Sequence, residues 1–329
     1  MKKKYQNGFF LFGLLILIIM VSQLDFHEVW HRMREAGYWF LAVVALWGAL
    51  YVFNTLSWFI IINNGLRKKC NVGFWWLYKI TISGFALNYA TPGGLMGGEP
   101  YRIMALSPKI GAEHASASVI LFAMTHIFSH FWFWLLSAAL FILTQPVSIP
   151  MGMLLAATAA FCVTGIWFFM SGYKKGLAVR AMNLLRHLPG AKKWATSFIN
   201  KHRTSLDHVD RQIAALHGQN PHAFRAAVLS ELLCRIFSAL EIFFILRVLM
   251  PSVNYLECIL ILAFTSLFAN MLFFMPLQLG GREGGFLMSV KGLRMTTDAA
   301  ILVALLVRIR ELIWTAIGLL LIKFERKEP

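Results

Sequence analysis

Pro92-Gly93-Gly94-Leu95-Met96-Gly97-Gly98-Glu99 and Pro276-Leu277-Gln278-Leu279-Gly280-Gly281-Arg282-Glu283 are two versions of one stretch, 184 residues apart, with four identities in eight positions. Each interrupts a long apolar segment, where proline and glycine break helices and a carboxylate is expensive. Broken, charged helices at matching places in two halves of a membrane chain point to a transport site at the interface of a repeat.

The surrounding chain is apolar: 58% of its 329 residues are hydrophobic and 14% charged. The clearest run, Ala115 to Tyr173, has no Asp, Glu, Lys or Arg and is broken only by Gln145-Pro146-Val147-Ser148-Ile149-Pro150. That is two spans and a tight turn, in a polytopic all-α membrane protein. The alternating ten-residue segments of a β-barrel are missing. The formal charge of +16 sits mainly beside the apolar runs. It therefore suits an anionic inner leaflet, and no nucleic-acid partner is expected. Cys70, Cys162, Cys234 and Cys258 have no close pairing and read as reduced packing residues. Lys2-Lys3-Lys4 before the apolar run Phe9 to Val21 reads as an uncleaved signal anchor, because no small-x-small pattern follows.

Charge flanks order the spans. Span 1 (Gly8–Leu24) leaves the cytoplasm, Asp25–Gly37 is an external loop, and span 2 (Tyr38–Ile62) returns to Arg67-Lys68-Lys69. Spans 3 (Ala115–Leu143) and 4 (Met151–Ser171) leave and return, so residues 73–109 enter and exit by the cytoplasmic face. Residues 172–221 carry nine Lys or Arg and divide two readings between them: amphipathic helices on the inner leaflet, or a solvated linker. Span 5 (His222–Leu249) goes out, the last span (Thr297–Ile322) comes in, and residues 256–294 enter and exit externally. The expected fold is a membrane helix bundle of about six full spans plus two opposed re-entrant helical hairpins forming an inverted repeat, the alternative being two full crossings in place of each hairpin. Its N-terminal half is 1–171 and its C-terminal half 222–329.

Pro92, Gly93, Gly94, Gly97 and Gly98 form one hairpin tip, and Pro276, Gly280 and Gly281 the other. Pro100 fits the first position of a helix, which leaves Glu99 near its cap and free N–H groups facing the membrane interior. Arg102 can pair with Glu99 or reach a phosphate as a fork donor. Arg282 and Glu283 repeat this logic in reverse order. Arg308, Arg310 and Glu311 lie halfway along the last span, where each charge costs at least about 2.5 kcal/mol. Arg308 and Glu311 share a face, and Arg310 needs a partner elsewhere. Glu231 and Arg235 have the spacing of a helical ion pair. His126 and His130 are spaced for a metal but lack a third ligand in their span, and read as hydrogen-bonded packing residues. No cofactor, metal or catalytic motif is recognisable.

At these residues the chain resembles the lysylphosphatidylglycerol synthase transmembrane-region family, the flippase-like integral membrane proteins. The resemblance rests on residues 92–102, on Gly280-Gly281-Arg282-Glu283-Gly284, and on Arg308 with Gly318. It implies an inner-membrane domain which, in the aminoacyl-phosphatidylglycerol synthases, moves the modified lipid between leaflets. Those synthases carry a soluble C-terminal transferase domain, and only about six residues follow the last span here, so aminoacyl transfer is not implied. The expected function is translocation of an anionic phospholipid or polyprenyl-phosphate-linked lipid in a bacterial inner membrane, with both termini cytoplasmic. Glu99, Arg102, Arg282, Glu283, Arg308, Arg310 and Glu311 would line the site. The alternative is a membrane-embedded transferase or an accessory subunit of envelope lipid or glycan modification. Anionic lipids are the expected partners, and a homo-oligomer or an envelope-biosynthesis partner stays open.

Overall fold

Long apolar runs in lipid satisfy their backbone N–H and C=O groups by coiling. Among the described residues every element is a helix. The computed structural model describes residues 3–22, 25–65, 72–90, 97–175, 221–271 and 297–324, with short pieces at 196–197, 203, 207, 210–211 and 285–286. The helices are α1 (Lys3–Ser22), α2 (Phe26–Ala36), α3 (Tyr38–Gly65), α4 (Phe74–Ala90), α5 (Gly98–Ile110), α6 (Ala112–Thr144), α7 (Ile149–Lys175), α8 (Pro221–Leu249), α9 (Tyr255–Met271) and α10 (Thr297–Lys323).

Six of them, α1, α3, α6, α7, α8 and α10, run for 20 to 33 residues. At 1.5 Å per residue they are about 30–50 Å long, enough for a bilayer core of about 30 Å. Length and apolarity alone single out α3, α6 and α7 as membrane-crossing. Helices α8 and α10 are as long but carry buried acids and arginines. The chain is a polytopic membrane helix bundle. Helix α7 turns Met153, Phe161, Val163 and Trp167 outward, each more than half exposed, as a lipid-facing helix does.

The sequence assigned Asp25–Gly37 to a loop, and the structure makes it a helix. Asp25 caps α2 by accepting hydrogen bonds from the N–H groups of His27 and Glu28, at 2.9 and 3.2 Å. Arg32 pairs with Glu35 at 3.2 Å, and Gly37, at φ 55°, ends the helix in a conformation that glycine adopts without strain.

The spine is the antiparallel pair α3 and α8. Trp47 Nε1 donates to Glu241 at 2.9 Å, Cys234 Sγ to the Leu50 carbonyl at 3.5 Å, and Ser230 Oγ to the Phe53 carbonyl at 2.8 Å. Helices α4 and α5 also run antiparallel: Arg102 reaches the Thr81 carbonyl at 3.3 Å, while Gly98 N donates to Asn88 at 2.8 Å. One apolar cluster, with Trp58, Leu77, Tyr101, Phe122 and Leu319, joins α3 to α6 and the end of α10. A second, with Val43, Ile242, Ile261, Phe286 and Val303, joins α3, α8, α9 and α10.

Contacts repeat at the offset of 184 that separates the two Pro-to-Glu stretches. His126 bonds Glu231 at 2.7 Å; 126 + 184 is Arg310 and 231 − 184 is Trp47, and Arg310 lies 3.8 Å from the centre of the Trp47 ring. Ser83 donates to the Gly318 carbonyl at 3.2 Å; 318 − 184 is Trp134, which donates to Ser266, one residue short of 83 + 184, at 2.9 Å. Thr81 takes Arg102; 81 + 184 is Thr265, which packs against Gly285, one residue short of 102 + 184, with its Cα 3.0 Å from where a Gly285 Cβ would stand. Leu50 and Cys234 are themselves 184 apart and touch.

The tip residues Pro92, Gly93, Gly94, Pro276, Gly280 and Gly281, together with Arg282 and Glu283, lie outside the described residues. So does almost all of the basic segment 172–221.

Candidate functional site

The first limb of the site begins where α5 starts. Asn88 on α4 accepts from Gly98 N and donates to Glu99 Oε1 at 3.1 Å, which anchors the start of α5 to α4. A Cβ on Gly98 would strike the Gly84 carbonyl, and one on Gly84 would strike the Arg102 side chain. Both glycines are therefore required by the close approach of the two helices. Gly97 occupies the position before α5 and provides no side-chain cap. Arg102 is 1% exposed. Its Nη1 donates to Glu99 Oε1 at 3.1 Å, and its guanidinium lies 4.6 Å from the Phe85 ring centre and 5.3 Å from that of Phe122. Arg102 Nε and Glu99 Oε2 are buried without a hydrogen-bond partner.

The second limb is Arg310, 2% exposed halfway along α10. It makes a two-pronged bond to Glu241 on α8, Nε to Oε1 at 2.7 Å and Nη2 to Oε2 at 2.9 Å. Glu311 lies 3.8 Å from Nη2. The Trp47 ring covers the guanidinium, and its N–H also holds Glu241. This leaves Nη1 buried without a partner. Tyr51, whose ring lies tilted 5.6 Å from that of Phe85 and meets Trp314 edge-on at 5.1 Å, is within electrostatic reach of both Arg102 and Arg310 and so links the two limbs.

A third cluster adjoins them. Glu231, fully buried, accepts two bonds from Asn54 Nδ2 at 3.1 and 3.0 Å and one contact from His126 Nδ1 at 2.7 Å. Arg235 is directed away from it, to Ser129 Oγ and the His126 carbonyl, both at 2.8 Å. Glu231 and Arg235 thus act on each other through space while their hydrogen bonds go elsewhere, those of Glu231 to α3 and α6 and those of Arg235 to α6. The His126 ring meets that of His130 edge-on at 5.6 Å.

Among the sequence-derived site residues, Glu99 and Arg102 pair, Arg310 and Glu311 lie together, and Arg308 is half-buried on α10. Sequence reasoning missed Trp47, Tyr51, Asn54, Asn88 and the role of Glu241. The available signal was a lone amide, Asn54 or Asn88, in an otherwise apolar helix, since a polar group there needs a partner. No group of three His, Cys, Asp or Glu suited to a metal ion occurs among the described residues.

Buried charges paired across helices, with both hairpin-flanking stretches inside the matched region, accompany a sequence match over residues 8–318 to the family described as the lysylphosphatidylglycerol synthase TM region. The chain belongs to this family. Comparison with curated proteins and with solved structures gives no match. The match covers all ten helices except the ends of α1 and α10, so the clusters around Arg102, Arg310 and Glu231 all lie within the matched region.

Proposed function

We propose that the protein is a lipid translocase that moves an anionic phospholipid or polyprenyl-phosphate-linked lipid between the leaflets of a bacterial inner membrane, with both termini cytoplasmic. The observation that carries this reading is the pair of buried guanidiniums, Arg102 and Arg310, each fixed by a carboxylate and each with an N–H left without a partner. Buried arginine N–H groups without acceptors are costly, and the oxygens of a phosphate group are their best complement. Tyr51 and the rings of Phe85, Phe122 and Trp47 surround these guanidiniums, and in this reading the headgroup displaces part of that packing while acyl or prenyl chains stay in lipid. The family's name, which ties the domain to a lipid-modifying synthase, agrees with a lipid ligand.

In this reading, residues 73–109 are a re-entrant hairpin of the N-terminal half, 1–171. Residues 256–294 are its opposed counterpart in the C-terminal half, 222–329, and 172–221 is the basic cytoplasmic linker. Helix α4 has 17 residues and α5 13, so they reach about 25 and 20 Å, short of a bilayer core of about 30 Å. Tyr89, at the tip end of α4, is within electrostatic reach of Arg310, which stands 13 residues, about 20 Å, from the end of α10. The Tyr89 end of α4 is then at mid-membrane. The reciprocal contacts at offset 184 support the inverted relation of the halves.

The test is reconstitution into vesicles carrying fluorescent phosphatidylglycerol or a fluorescent polyprenyl phosphate, with a membrane-impermeant quencher added outside. Faster loss of the protected signal than in protein-free vesicles, abolished by Arg102→Gln with Arg310→Gln, is expected. Equal rates with and without protein overturn the reading. Chemical conversion of the lipid in detergent, where leaflets do not exist, would replace it with a transferase.

A further inference from the structure

The two pseudo-equivalent contacts differ in kind. In one half the group is Arg310, a guanidinium that stays charged; at the matching place in the other half it is His126, an imidazole that is charged only when protonated. Within the described helices and away from their ends, the buried charges are Glu231, Glu241 and Glu311 against Arg102 and Arg310, with Arg235 and Arg308 half-buried. An anionic headgroup entering this interior adds a further negative charge, which is expensive in a low dielectric. His126 is the nearby group able to supply the compensating positive charge.

Resting on the translocase reading, we infer that the His126–Glu231 pair is a proton-binding site that takes up one proton when the anionic lipid binds and gives it up when the lipid leaves. Glu231, immobilised by Asn54, takes the Nδ1–H of the neutral ring and so fixes its tautomer, leaving the Nε2 lone pair to take a proton from water. A new N–H bond forms, the ring gains one positive charge, and Nδ1–H stays on the carboxylate. The buried imidazolium is then neutralised by Glu231, and Arg235 is released from that duty by its bonds to Ser129 and the His126 carbonyl. The His126 side chain is 28% exposed where Glu231 is fully buried, so the ring is the accessible member of the pair.

The groups that face it are few. On α6 there is His130, whose Nδ1 is buried without a partner; on α8, Glu231, Cys234 and Arg235; on α3, Asn54 and Tyr51. Helix α4 presents the Phe85 ring at 5.8 Å, and α5 presents Arg102, which with its partner Glu99 acts through space. Helix α7 carries no Asp, Glu, Lys, Arg or His between Ile149 and Gly172, and the acid of α9, Glu257, sits in that helix's first turn.

The experiment titrates phosphatidylglycerol, a phosphodiester of constant charge in this range, onto the full chain in a neutral detergent between about pH 5 and 8. It records affinity at each pH, and proton uptake in weak buffer. One linked proton makes the affinity fall by up to about tenfold per pH unit above the titration of the pair, with up to one proton taken up per lipid. His126→Gln and Glu231→Gln should each flatten that slope and remove the uptake, with an elution profile in size exclusion matching wild type as the check on folding. A pH-independent wild-type affinity, or a slope that survives His126→Gln, overturns the inference. Proton-linked binding without flipping in vesicles would remove the translocase reading and keep the proton site; no binding at all would remove both.

Discussion

Removing the carboxylate of Glu241 strands a buried cation, and the structure sets the size of the effect. Arg310 is 2% exposed and Glu241 3%, and their two bonds at 2.7 and 2.9 Å leave neither group another charge of comparable geometry; Glu311 is 3.8 Å away. An arginine at the middle of a membrane helix costs about 2.5–3.5 kcal/mol on insertion scales. Two lost interhelical hydrogen bonds add about 0.6 kcal/mol each. Glu241→Leu should therefore destabilise the fold by about 3–5 kcal/mol, in line with the usual cost of breaking a buried pair by deleting one partner. Arg310→Met should cost a similar amount by stranding Glu241. The double variant removes both charges and should cost much less than the sum. Equilibrium unfolding by sodium dodecyl sulfate in mixed micelles, followed by tryptophan fluorescence, measures all four corners of the cycle. Additive single costs, or a cost of Glu241→Leu below about 1 kcal/mol, would refute the ion-pair account of this site.

Gly98→Ala places a methyl against the Gly84 carbonyl, a backbone atom that cannot swing aside, and should cost about 1–3 kcal/mol in the same assay and impair lipid binding. Gly84→Ala meets the flexible Arg102 side chain instead, so it should cost less in stability while displacing the guanidinium and weakening binding of an anionic lipid. Trp47→Phe keeps a ring over Arg310 but loses the N–H bond to Glu241, for an expected loss of about 1 kcal/mol. Trp167→Leu on the lipid face of α7 should stay within about 0.5 kcal/mol of wild type and serves as a control.

The spans were legible because a membrane helix announces itself by length and apolarity. Tyr38–Ile62 became Tyr38–Gly65, and Thr297–Ile322 became Thr297–Lys323. Helix α2 was missed because its short amphipathic pattern and charge pairs resemble a polar loop, and only the Asp25 cap marks its start. The paired stretches carried the offset that governs contacts far from them, such as Ser83 with Gly318 and Trp134 with Ser266. The partners within the site were not legible. Glu231 and His126 are 105 residues apart, and Arg310 and Glu241 69 apart. Helical spacing ranks only neighbours along one helix, whereas these bonds depend on which faces two helices turn toward each other. It therefore paired Arg235 with Glu231 and missed His126, and it could not find the Glu241 that holds Arg310.

The crossing of α3 and α8 at Leu50 and Cys234 behaves as a fulcrum. Any rotation of one half against the other about that point leaves the Leu50–Cys234 contact in place and displaces other groups in proportion to their distance from it. Glu241 is seven residues along α8 on one side, about 10 Å, and Glu231 three residues on the other, about 4.5 Å. The longer arm ends at the Trp47–Glu241 bond and the shorter at the His126–Glu231 contact, the two bonds that join the halves on either side of the pivot. A tilt of the halves therefore strains the tryptophan bond first, the histidine contact moves about half as far, and the Glu241–Arg310 pair, both of whose members belong to the C-terminal half, travels as a unit.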